Sequence, residues 1–209
     1  MKRCAFLALG LGLAIAGGAS DSHADAHTAS WSGFYIGAHG GGGWGDVDAT
    51  LTSITGSYNV DGFLIGGQAG WNWQEGPFVI GVVADASLGD IDGKWVFDTG
   101  PPARNLTTDY DFLGTGRLRA GYATDQFLIY GSGGIAMASV KSVRSSPAAS
   151  DSDFMVGYAA GGGLEFVIDE RWTMNIEYLY RDFGNQALAN YDLDQTLSTV
   201  TLGINMQLD

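Results

Sequence analysis

Six charged residues carry most of the chemistry this chain could do. Asp85, Arg117, Arg119, Glu165, Glu177 and Arg181 each lie in a stretch where polar and apolar residues alternate, and each falls on the polar side. Three acids and three bases so placed would project into one shared interior. An unpaired charge there is costly, so they are expected to pair. Such a set could line a selective pore, or it could be an ion-pair network that fills and specifies the fold. In a narrow interior the second is expected. Catalysis finds little support. Of the 3 histidines only His39 lies in an alternating stretch, so a Ser-His-Asp hydrolase would have to use it. No G-x-S-x-G elbow is present, and no second ligand accompanies His39 for a haem or metal. Asp46, Asp48, Asp90 and Asp92 sit where strands give way to loops, yet they lack the D-x-D-x-D-G spacing of a calcium loop. No catalytic, cofactor-binding or metal-ligating residue is therefore expected, and no cofactor.

Elements that could hold six charges in one interior are legible in the chain. Residues 31–45 read WSGFYIGAHGGGGWG. Phe34, Ile36, Ala38 and Trp44 fall on one side, and Tyr35, Gly37, His39, Gly41 and Gly43 on the other. Period-two alternation marks a strand with two different faces. The inner side here has no bulk with which to build a dry core. That arrangement suits a strand with lipid outside and a crowded, polar interior. Seven further stretches repeat it, at about residues 62–74, 78–90, 109–123, 127–142, 153–168, 172–183 and 196–208. In the fifth, Leu128 and Tyr130 leave the register ambiguous against Phe127 and Ile129.

The connections alternate in length. Residues 47–59, 91–108, 143–152 and 184–194 read as long polar loops, whereas 74–77, 124–126 and 169–171 read as tight turns. Long loops on one side and short turns on the other are the asymmetry of outer-membrane barrels. Eight strands put both chain ends on the short-turn side. Closure leaves no edge and satisfies every backbone group, as hydrocarbon demands. The expected fold is an all-β, eight-stranded, antiparallel up-and-down transmembrane barrel over residues 31–209. Trp44, Trp71, Trp73, Phe78, Tyr122, Phe127, Phe166 and Trp172 lie near strand ends, mainly beside the short turns. Amphipathic rings prefer the headgroup zone, so they are expected to form an interface girdle on the periplasmic side.

Composition agrees. The chain has 209 residues, a length suited to one domain, with 33 Gly but 45% hydrophobic and 12% aromatic residues, which argues against disorder. Glycine within alternating strands points instead to close packing in a small barrel. The net charge of −13 and the lack of a basic run exclude nucleic acid as a partner. The single cysteine, Cys4, rules out a disulfide framework or a cysteine-bearing zinc site.

Residues 1–24 read as a secretory signal peptide. Lys2 and Arg3 form a positive start, residues 5–16 an apolar run too short to span a bilayer, and Ser22 and Ala24 the small residues before a cut. Cleavage is expected after Ala24, with Ala26 as the alternative. Residues 25–30 would be a short periplasmic lead.

Taken together, WSGFYIGAHGGGGWG, GFLIGGQAGWNWQ, FVIGVVAD, GTGRLRAGYATDQFLIYGSGGIA and GGGLEFVIDERWTMNIEYLYRDFG resemble the small outer-membrane β-barrels of alphaproteobacteria. These are porin-family surface antigens related in architecture to OmpA and OmpX. The resemblance covers the chain from Trp31 onward. It implies a place in the outer membrane, with lipid and lipopolysaccharide around the barrel and the barrel-assembly machinery as the inserting partner. It also implies a structural or surface-interaction role. A small passive pore or a haemin-binding protein is the alternative, and a lipid-modifying barrel enzyme a more distant one. Two positions depart from the family. Val83 stands where an inward Glu is usual, and the chain ends in Leu208-Asp209 rather than in an aromatic.

Overall fold

The computed structural model describes residues 30–51, 54–98, 104–145, 148–188 and 191–208. The expected signal peptide and nearly all of the expected lead lie outside them. Eight strands follow one another: β1 (Gly33–Leu51), β2 (Ile54–Glu75), β3 (Phe78–Asp98), β4 (Arg104–Ala123), β5 (Phe127–Ser145), β6 (Ala148–Val167), β7 (Trp172–Leu188) and β8 (Tyr191–Leu208). Each pairs antiparallel with its neighbours, and β1 pairs with β8, so the barrel is closed.

The register fixes the shape. Stepping from partner to partner round the wall from Phe34 leads through Trp71, Val82, Leu118, Gly133, Ala160, Tyr180 and Ser198. The path returns to β1 at Trp44, ten residues above its start. A stagger of that size over eight strands sets a strand tilt of roughly 35–45° and a lumen just wide enough for side chains to fill. Such curvature crowds the inner wall. At Gly41 a Cβ would collide with the Val200 carbonyl oxygen, and at Gly62 with that of Asp90. These collisions explain the glycine-rich inner face of β1 and β2.

The strands run further than their alternation predicts. They have 17 to 22 residues, against the ~9–11 that cross a bilayer. The stretches 47–59, 91–108, 143–152 and 184–194, expected as loops, are largely paired backbone; Asp46 faces Asn59, for example, and Leu51 faces Ile54. Above the membrane no lipid selects one apolar face, so period two fades from the sequence while the hydrogen-bonded ladder continues. Where β7 passes its expected end it bulges between Asp182 and Asn185. Gly184 takes φ 64° there, and its N–H donates to Asp182 Oδ1 at 2.8 Å. This is the local twist a bulge needs.

The interior corrects a second expectation. It is not polar throughout. Toward the short turns Trp31, Val79, Ala123, Leu128 and Tyr130 form one buried apolar cluster. Toward the other end Val60, Leu64, Ile91, Leu113, Met155, Phe183 and Leu197 belong to another. Leu128 and Tyr130 point inward while Phe127 and Ile129 face out, which resolves the register of the fifth strand. Inward apolar residues that alternate with lipid-facing ones make a continuous apolar run, so periodicity alone hides them.

All eight girdle aromatics face outward and are exposed. Trp71, Trp73, Phe78, Tyr122, Phe127, Phe166 and Trp172 lie near the short turns, where Phe78 meets Tyr122 edge-on at 5.9 Å. Trp44 belongs to the opposite rim and packs 6.4 Å from Tyr178.

Candidate functional site

The six charges converge in the middle of the lumen, between the two apolar clusters. Asp85 comes from β3, Arg117 and Arg119 from β4, Glu165 from β6, and Glu177 and Arg181 from β7; all are buried. Alternation brings them inward, and the stagger brings different strands to one level.

Arg117 is the hub. Its Nη2 donates to Asp85 Oδ1 at 2.9 Å and its Nη1 to Glu177 Oε1 at 2.7 Å, so one guanidinium spans carboxylates on separate strands. Nη1 also reaches Ser132 Oγ at 2.9 Å, and Nε reaches Thr115 Oγ1 at 2.8 Å. The Thr115 hydroxyl donates in turn to Asp85. Arg119 forms a second centre. Its Nη2 donates to Glu165 Oε2 at 2.7 Å and its Nη1 to the Tyr35 hydroxyl at 3.0 Å. Its guanidinium carbon lies 4.3 Å from the centre of the Tyr130 ring, within cation–π range. The other Glu165 oxygen accepts from Thr173 Oγ1 at 2.6 Å and from Asn205 Nδ2 at 2.8 Å. These are charge-assisted bonds in a medium of low dielectric, where each is stronger than at a surface and its loss costs more.

Arg181 differs. Its Nη1 donates to Thr199 Oγ1 at 2.9 Å, but it forms no ion pair among the described residues. The structure thus brings five of the six charges into direct pairs and leaves Arg181 beside them on a hydroxyl. The neutral partners Tyr35, Thr115, Tyr130, Ser132, Thr173 and Asn205 were invisible to a search for charges. Their signal was position, since each falls on the inner side of its strand. Val83 is buried opposite Arg117 and adds no charge to the network.

His39 does touch a serine. Its Nε2 lies 2.8 Å from Ser87 Oγ. A hydrolytic triad also needs a carboxylate on Nδ1 and a substrate path to the hydroxyl. Here Nδ1 has no hydrogen-bond partner and Ser87 is only 1% exposed. Asp46, Asp90 and Asp92 face outward and are exposed, while the side chain of Asp48 lies outside the described residues. Among the described residues no group of three or more His, Cys, Asp or Glu could hold a metal ion.

The arrangement therefore fixes charge and fills space. Comparison with known proteins points the same way. The family described as outer membrane protein beta-barrel domain matches residues 6–205. A 31 kDa outer-membrane immunogenic protein of Brucella melitensis is 33% identical over 201 residues, covering 85% of this chain and 84% of the relative. A 22 kDa outer membrane protein of Rhizobium leguminosarum is 32% identical over 167 residues, covering 79% and 69%. Among solved structures, the outer membrane protease OmpT of Escherichia coli superposes with a TM-score of 0.53 over 84% of this chain and 96% of its own, at 8% identity, a likeness of fold alone. A closed eight-stranded barrel, matched by that family along nearly its whole length and by relatives of similar size, belongs to the outer-membrane β-barrel proteins.

Proposed function

We propose that this protein is an integral outer-membrane barrel whose role is structural or surface-interacting, not catalytic and not conductive. The observation that carries this reading is the filled lumen. Arg117 bridges Asp85 and Glu177 between two apolar clusters, and side chains so placed occupy the lumen where an aqueous path would run. The chain is exported with residues 1–24 as its signal peptide, removed after Ala24 or Ala26, and is inserted by the barrel-assembly machinery. The tight turns face the periplasm. The long strand ends stand outside, where lipopolysaccharide surrounds them and any surface ligand would meet them.

Planar bilayers test the closed lumen. Purified protein should give no stable, reproducible openings. Discrete openings of constant size would replace this reading with that of a small passive pore.

A further inference from the structure

The residues just before β1 lie across the mouth of the barrel. Gly33 takes φ 121°, a conformation that L side chains rarely adopt, and there the chain turns off the wall. Residues 30–32 then cross the short-turn end. The Trp31 N–H donates to Gln74 Oε1 at 2.9 Å, and the Gln74 N–H donates back to Ser32 Oγ at 3.0 Å. Gln207 Nε2 donates to the Ser32 carbonyl at 2.7 Å, which ties the segment to the end of β8. The indole Nε1–H reaches the carbonyl of Thr124, in the β4–β5 turn, at 3.2 Å. Trp31 is thus anchored both on the end of β2 and on the β4–β5 turn. Its ring, 2% exposed, packs with Val79, Ala123, Leu128 and Tyr130 from β3, β4 and β5. A tryptophan at an outer-membrane rim ordinarily faces lipid, as Trp71, Trp73 and Trp172 do here. Trp31 faces the axis instead.

We infer that residues 30–32 form a strap that closes the short-turn mouth, with the Trp31 indole as its stopper and Gly33 as its hinge. Beneath the indole lies the apolar cluster around Ala123, then the Arg119–Glu165 pair. Removing the stopper should therefore open a vestibule that ends at the ion pairs and should leave the far cluster dry. The inference does not depend on whether the barrel conducts, because it concerns access from one end only.

Single-cysteine labelling tests it. In a Cys4→Ser background the only native cysteine is gone. Ala123→Cys places a thiol under the stopper, Ala136→Cys places one in the far cluster, and Asp125→Cys, on the exposed turn, sets the rate for free access. A water-soluble maleimide should modify Ala123→Cys at least about tenfold more slowly than Asp125→Cys, as protection by a closed native state requires. Adding Trp31→Ala should raise the Ala123→Cys rate toward that of Asp125→Cys and leave Ala136→Cys slow. An unchanged Ala123→Cys rate would overturn the strap. So would an equal rise at Ala136→Cys, which would mean that the whole barrel had loosened. If Trp31→Ala gives no folded barrel, Gln74→Leu removes the acceptor for the Trp31 N–H, together with the Nε2–H donated to the Gly76 carbonyl in the same turn, and keeps the Gln74 N–H that holds Ser32. It should produce a smaller rise confined to Ala123→Cys, and no rise would count against the strap equally.

Discussion

At the scale of residues, the lumen contains two kinds of buried arginine. Arg117 satisfies two carboxylates, so Arg117→Met would strand Asp85 and Glu177 as buried anions. Breaking a buried pair in this way costs about 3–5 kcal/mol. Among the described residues Arg181 holds only the Thr199 hydroxyl, a neutral partner. Arg181→Met removes a desolvated cation that bonds no acid among the described residues, so it relieves a burial cost without breaking an ion pair. In detergent, the urea midpoint of Arg117→Met should fall markedly while that of Arg181→Met stays near that of the parent. Equal losses would mean that Arg181 is compensated as strongly as Arg117. The inward position of all six charges was legible because strand period is two and each lies on the polar parity. Which acid meets which base was not, because that depends on the stagger between strands, and no single strand encodes it. Val83 and Asp85 illustrate the limit: both are inward on β3 and the register sets Val83 opposite Arg117, yet the guanidinium reaches along the strand to Asp85.

At the scale of elements, the seam between β1 and β8 turns a sheet into a barrel. Its register pairs Ala38 with Ile204, both facing lipid. Directly opposed residues on antiparallel strands lie within the Cα range of a disulfide. Cysteines at Ala38 and Ile204, with Cys4→Ser, should cross-link on mild oxidation, whereas cysteines at Ala38 and Leu202 should do so poorly. Preference for the second pair would mean that the seam has slipped by two residues. The eight strands were readable where lipid imposes an apolar outer face, as Trp172, Met174, Ile176 and Tyr178 show on β7. Their outer halves were not, because beyond the bilayer neither face is selected for hydropathy and only backbone pairing persists. The inward Leu128 and Tyr130 were hidden for the opposite reason, since both faces of β5 are apolar near its start.

At the scale of the molecule, the layers combine into a closed rod. An apolar cluster sits at each end of the lumen with ion pairs between, and an apolar wall rimmed by aromatics surrounds them. The closed seam explains how the strands can lie in lipid with their backbone groups paired to neighbours. All of these features require a barrel that is folded, closed and inserted. Gel mobility of the membrane fraction, with and without boiling in detergent, tests it most directly. The protein should partition with the outer membrane and run at a different position unheated than boiled. Identical mobility in both lanes, or recovery in the soluble fraction, would contradict the account.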